Sequence, residues 1–180
     1  MELMEGLLTR RSIRSFDVSR DIDDDTITRL LIAAQYAPSA HNRQPWEFLV
    51  VRDRQMLTDL RTVQRWTSFA KDAAAAVIVC ARDDIAFSRE KDGEIWSYAD
   101  IDCSLATQNL LLAAHAMGLG ACFCGCAPMA KVVDAVREMF KIPEPARPFA
   151  IVVLGWPADP DETKTIPERF AEEKVHWGQW

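Results

Sequence analysis

Two short stretches hold most of the side chains suited to chemistry. Thr9-Arg10-Arg11-Ser12-Ile13-Arg14 crowds three arginines and two hydroxyls into six residues. Ser39-Ala40-His41-Asn42-Arg43-Gln44 sets a hydroxyl, an imidazole, two amides and a guanidinium between Pro38 and Pro45. A guanidinium is always charged and offers a planar fork of donors that matches a phosphate, and neighbouring hydroxyls complete the contact. Short polar side chains held between rigid turns suit an oriented polar ligand. Each residue also has a plainer reading. Arg11 fits a surface ion pair, and Ser39 and Asn42 fit turn formers after a helix. His41 fits a hydrogen-bonded structural imidazole as well as a proton donor.

The elements that must position these stretches follow from the hydrophobic pattern. Asp23, Asp24 and Asp25 offer caps for a helix whose Ile27, Leu30, Leu31 and Ala34 share one face, running to about Ala37 before Pro38 stops it. Trp46 to Val51 reads as a strand, and Asp53 as the cap of a helix carrying Met56, Leu57, Leu60 and Val63. Ala74 to Cys80 reads as a buried strand because Val77-Ile78-Val79 is continuous rather than alternating. Asp102 to Met117 is the longest helical pattern and apolar nearly all round, which makes it central. Its Gln108 and Asn109 need partners inside or a place at a pocket, and Asp102 fits a helix cap. Gly118-Leu119-Gly120 ends that helix and Ala121 to Cys126 follows as a strand. Pro128 precedes a helix with Val132, Val133, Val136, Met139 and Phe140 on one face, and Phe149 to Leu154 is a last buried strand. Arg82 to Ala99 is polar but holds Phe87, Trp96 and Tyr98. It reads as a charged loop or short helix, either a lid over a pocket or an excursion docked on the core. From Trp156 to Trp180 the composition is that of a disordered tail, but Trp177 and Trp180 are costly to expose, which favours an ordered arm on this chain or on a partner. Four strands interleaved with four or more helices make one helix-wrapped α+β or α/β domain over residues 1–180.

Bulk properties narrow the function. A net charge of −6 argues against a general nucleic-acid or anionic-membrane binder while leaving room for a small basic pocket. No apolar run approaches the roughly 20 residues that span a bilayer, and the first residues, with Glu2 and Glu5, do not read as a basic-then-apolar signal peptide, so the expected location is cytoplasmic. Cys80, Cys103, Cys122, Cys124 and Cys126 are an odd set that reads as free thiols. Cys122, Cys124 and Cys126 alternate and would share one strand face. Buried small side chains explain that pattern better than a metal site, whose ligand spacings are wider. Neither a dinucleotide-binding G-x-G-x-x-G unit nor a phosphate-binding P-loop motif is present.

Taken in order, these motifs resemble those of the nitroreductase family of flavin-dependent oxidoreductases. The match runs through Arg10-Arg11-Ser12-Ile13-Arg14, Pro38-Ser39-Ala40-His41-Asn42-Arg43-Gln44-Pro45-Trp46, Asp102 with Gln108-Asn109, Gly118-Leu119-Gly120 and Leu154-Gly155-Trp156-Pro157, essentially the whole chain. The resemblance implies a mixed β-sheet wrapped by helices, with the long central helix at a homodimer interface and residues 156–180 forming a C-terminal arm on the partner. It implies FMN bound between subunits. Arg10 and Ser12 would hold its phosphate, with Arg169 (or Lys164) of the arm as a further cation and Arg11 as a further cofactor-binding residue, and Arg14 would lie near the pyrimidine edge of the ring. Ser39, Asn42 and Gln44, from the other subunit, would bind the ribityl chain, phosphate or ring edge, and Gly120 would bring backbone close to the ring. A cation at about 4 Å in an effective dielectric of about 20 is worth about 4 kcal/mol before desolvation, or about 90 mV on a two-electron potential. The implied reaction passes hydride from NADH or NADPH through FMN N5 to an electron-poor acceptor such as a nitroaromatic, quinone or activated alkene, with Trp96 or Tyr98 gating the open face. Alternatives on the same fold are a flavin-consuming or dehalogenating enzyme, or a flavin- or thiol-based redox sensor without turnover.

Overall fold

A computed structural model describes residues 1–159, 161 and 169–180, leaving aside the side chain of Lys91; Lys164 therefore lies outside the described residues. The helices are α1 (Leu3–Thr9), α2 (Asp24–Gln35), α3 (Arg54–Val63), α4 (Ala99–Ala116) and α5 (Ala130–Phe140). The strands are β1 (Trp46–Val51), β2 (Ala75–Arg82), β3 (Ser88–Lys91), β4 (Glu94–Ser97), β5 (Gly120–Gly125) and β6 (Ala146–Gly155). Four strands form the main sheet in the order β1-β2-β6-β5, each pairing antiparallel. The parallel component that makes the sheet mixed is a bridge from Ser12 to Ala121 at the β5 edge.

The continuous apolar run Val77-Ile78-Val79 has the physical cause expected of it. Alternate residues of β2 and β6 enter opposite cores: Val77, Val79, Val152 and Leu154 pack toward α2 and α4, whereas Ile78, Cys80, Ile151 and Val153 pack toward α3 and α5. All eight are at most 3% exposed, so the sheet is sandwiched between two helical layers. Asp23 accepts from Thr26 N at 2.6 Å and Asp53 from Met56 N at 2.8 Å, the two caps read in the sequence. Asp102 is no cap: α4 begins at Ala99, three residues earlier, and Asp102 lies buried in its first turn. On α4, Asn109 Nδ2 donates to Ala33 O of α2 at 3.1 Å, and Gln108 is exposed.

The segment 82–99 differs from the expected loop or short helix. It is a hairpin, β3 paired with β4 through Asp92-Gly93, both at positive φ (57° and 82°). Asp-Gly is a strong two-residue hairpin signal, and the charged character of the flanks hid it. No described helix is long and apolar enough to cross a membrane.

Candidate functional site

The basic stretch leaves α1 and runs over one end of the sheet. Ile13 N donates to Ala121 O at 3.0 Å, and Phe16 bridges to Pro157. Two glycines make this close approach feasible. A Cβ on Gly120 would stand 2.7 Å from the Ile13 side chain, and one on Gly155 would stand 2.7 Å from the Phe16 ring. The missing side chain of Gly120 is thus accounted for by Ile13. The cleft expected beside it opens further along β5, at Cys122 to Gly125.

That cleft has a volume of about 360 Å³ and is lined by Arg14, Arg65, Trp66, Ser68, Phe69 and the Cys122–Gly125 strand. Its far wall is a 3-10 segment, Arg65–Asp72, which the sequence reading passed over because a short polar-aromatic turn carries no periodic signal. Buried Gln64 ties the walls together. Its amide donates to Gly125 O at 2.5 Å and its Oε1 accepts from Trp66 N at 3.2 Å, while Cys124 Sγ reaches Trp66 O at 3.6 Å. Arg65 and Ser68 are therefore candidates that only the fold reveals.

Arg10 is half-buried and meets like charge. Burial, then the charges of Arg11 and Arg169, hold its pKa below the ordinary guanidinium value, with Cys122 opposing. Arg169 from the tail is thus brought to the same cluster. The ion pairs among the described residues belong to Arg52, Arg82 and Arg147, and Arg10, Arg14 and Arg169 take part in none of them. Arg11 donates to Leu8 O and Arg10 O, both at 2.8 Å, closing the end of α1. Arg10, Arg14 and Arg169, gathered on a net-acidic protein and outside the ion pairs of the described residues, are the electrostatic outline of an anion site.

All five cysteines are free and buried, and no group of three or more His, Cys, Asp or Glu among the described residues is placed to hold a metal ion. Burial pushes Cys80, Cys103 and Cys126 up to about 12. Cys122 moves the other way, drawn down by the Cys124 thiol and then by Arg14 and Ser12.

The polar loop lies elsewhere. Ser39 to Gln44 leads into β1, so it sits at the opposite edge of the sheet from Ser12, four strand spacings or about 19 Å across. It also sits at the opposite end, since Trp46 pairs with Ala81 and Ser12 with Ala121. His41, Asn42 and Gln44 have φ of 52°, 53° and 50°. Asn tolerates that conformation, but it costs His and Gln about 1–2 kcal/mol each. Built-in contacts hold the loop there. Gln44 N donates to Ser39 Oγ at 2.9 Å, Gln44 Nε2 to Asn42 Oδ1 at 3.3 Å, and Ala40 N to Asp102 Oδ1 at 3.1 Å. His41 stacks on Phe87 at 4.0 Å, which in turn meets Tyr98 at 5.7 Å, so the hairpin base packs on the loop. The side chains of His41, Asn42, Arg43 and Gln44 remain exposed.

Comparison with known proteins assigns the fold to a family. The model of the nitroreductase family matches residues 7–156. A protein of Methanothermobacter thermautotrophicus, provisionally named NADH dehydrogenase/NAD(P)H nitroreductase, is 38% identical over all of this chain and 88% of its own length. A crystal structure from Bacteroides thetaiotaomicron with the same provisional name superimposes with a TM-score of 0.87 at 30% identity, covering 98% of this chain and 97% of that one. A provisionally named NADH oxidase from Clostridium acetobutylicum gives 0.86 at 30% identity, covering 97% and 99%. From its sequence, its sheet and its cationic cleft, this chain belongs to the nitroreductase family and has the FMN-dependent oxidoreductase fold.

Proposed function

We propose that this protein is an NAD(P)H oxidoreductase that holds FMN between two subunits and reduces an electron-poor small molecule such as a nitroaromatic, quinone or activated alkene. The observation that carries the reading is the cluster of Arg10, Arg11 and Arg169 beside a cleft that Arg14 lines. The residues fit FMN: a phosphate needs the clustered guanidiniums, and a flat ring needs a cleft with polar and aromatic walls. The names of the relatives, NAD(P)H nitroreductase and NADH oxidase, support a nicotinamide donor.

Where the parts lie supports a dimer. Ser39, Asn42 and Gln44 are at the opposite edge and end of the sheet from the arginines. Leu3, Met4, Leu7 and Leu8 of α1 and Ile101 and Leu105 of α4 are exposed, as are Trp177 and Trp180 of the tail, at 92% and 101%. A second copy covering these faces would bring its own loop to this chain's arginines and bury the tail.

FMN, when bound, supplies the hydride chemistry. The chain's part is to bind, orient and shield. Arg10, Arg11, Ser12 and Arg169 would hold the phosphate. Arg14, with Arg65 and Ser68, would meet the polar edge of the ring, where a cation favours the negative charge that reduction brings; Arg14 is exposed, so solvent would take much of the 90 mV that an unscreened cation gives. The amides of Asn42 and Gln44 both donate and accept, as ribityl hydroxyls require. Gly120 lets Ile13 seat the arginine stretch on the sheet. Trp96 and Tyr98, exposed on and beside the hairpin, can close the open face.

Subunit mixing tests the shared site. Arg10→Ala and Ser39→Ala/Asn42→Ala each damage both sites of their own homodimer, but a mixed dimer keeps one site with both halves intact. Refolding the two variants together is expected to give flavin binding and turnover above that of either variant alone. No recovery in an isolated mixed dimer would mean that the two stretches do not serve one ligand across subunits.

A further inference from the structure

α1 is weakly attached to the body. Leu3, Met4, Leu7 and Leu8 are exposed, and only Gly6 and Thr9 are buried. Its end nonetheless has to place Arg10. A buried polar contact stands at that point: Thr9 Oγ1 lies 2.7 Å from His115 Nε2, and both residues are 7% exposed. The Thr9 hydroxyl has one hydrogen and donates it to Glu5 O at 2.7 Å. It therefore accepts at His115, and Nε2 carries the hydrogen. His115 is in the last turn of α4, which is fixed on the sheet through Leu110, Leu111 and Ala114. The bond thus runs from the most firmly held helix of the fold to the residue before Arg10.

We propose that His115, acting through Thr9, is a positioning residue that holds Arg10 on the cofactor phosphate; this rests on the phosphate reading of Arg10 given above. The groups facing His115 are Glu5 on α1 and Arg10 and Arg11 after it. Across a cavity of about 240 Å³ that His115 lines with Gly118, Leu119 and Trp156 stand Met1 and Arg20. Burial, then the charges of Arg10 and Arg11, hold the imidazole below its ordinary value of 6.5, with Glu5 opposing. The ring is neutral at pH 7 and still donates from Nε2. An anion on Arg10 offsets the charges that resist protonation, so phosphate binding and His115 protonation favour each other. The sign follows: as pH falls below 6.5, His115 adds to FMN affinity. The phosphate's own ionisation, with a pKa of about 6, is common to wild type and variant and cancels in their ratio.

The test measures FMN and riboflavin affinity of the flavin-stripped, full-length protein, riboflavin being the same ligand without phosphate. Thr9→Val and His115→Leu are expected to weaken FMN about tenfold or more, as for a displaced charge-assisted bond, and to leave riboflavin unchanged, while Thr9→Ser binds as wild type. His115→Gln, which keeps a donor but no charge, is expected to match wild type at pH 7.5 and to fall behind it for FMN below pH 6.5. Equal losses for FMN and riboflavin would reduce the pair to a structural contact and overturn the proposal, as would wild-type FMN affinity in Thr9→Val. If Thr9→Val does not fold, the His115→Gln pH ratio decides, and a flat ratio overturns the proposal. A wild type that binds neither flavin would overturn the phosphate reading itself, a result distinct from all of these.

Discussion

Arg10 and Asp102 are the two residues whose surroundings say most about them. Arg10 has guanidiniums for neighbours, so its charge is available to a ligand. Arg10→Ala is expected to weaken FMN binding by about 1.5–3 kcal/mol, the worth of a hydrogen bond to a charged group, with little change in thermal stability because no described ion pair is lost; equilibrium dialysis and a thermal melt read the two effects. Asp102 serves the loop. Its Oδ1 accepts from Ala40 N, its Oδ2 is buried without a hydrogen-bond partner among the described residues, and burial raises its pKa above 3.8. Folding therefore binds this proton more tightly than the unfolded chain does, and the carboxyl loses stability as pH rises through its folded pKa. Asp102→Asn keeps the acceptor without the charge. Its melting temperature is expected to exceed that of wild type at pH 7, with the gap closing as pH falls through the raised folded pKa toward 3.8; Asp102→Leu, which orphans Ala40 N, is expected to cost about 1–3 kcal/mol. The residue types of Arg10, Ser12, Arg14, Asn42 and Gln44 could be read directly as ligand chemistry. The role of Asp102 could not, because it depends on a contact across 62 residues.

At the level of elements, the periodic segments were readable and the aperiodic ones were not. The four main strands and α2, α3, α4 and α5 announced themselves through apolar spacing and caps, with ends displaced by a few residues. α1 was missed because Leu3, Met4, Leu7 and Leu8 face outward on the single chain, and the 3-10 wall of the cleft because it repeats nothing. The hairpin was misread for want of weight on Asp92-Gly93. Two predictions belong here. Gly120→Ala is expected to lift the arginine stretch, costing about 1–3 kcal/mol of stability as an overpacked site and weakening FMN retention together. Ile13→Ala would give no rescue, because Ile13 Cβ already lies 2.8 Å from the added methyl. Trp96, on the exposed hairpin, bears on substrate instead: Trp96→Ala is expected to change KM for the acceptor while flavin content and melting temperature stay as in wild type, which steady-state kinetics on purified holoprotein would establish.

For the molecule as a whole, two observations support the proposed dimer. The two stretches assigned to FMN lie apart, and the outer helices and tail expose apolar side chains. Sedimentation is expected to give twice the 20.3 kDa chain mass, and removal of residues 169–180 to weaken both the dimer and its hold on FMN, because Arg169 leaves with the tail tryptophans. The measurement that bears most directly on the central claim is an anaerobic titration of the purified protein with NADH and with NADPH, followed by its visible spectrum. A yellow protein whose flavin absorption bleaches with about one equivalent of nicotinamide per site, and returns on adding a quinone or nitroaromatic, is the result this account predicts. A colourless protein that takes up no added FMN, or a yellow one that neither nicotinamide reduces, would contradict it.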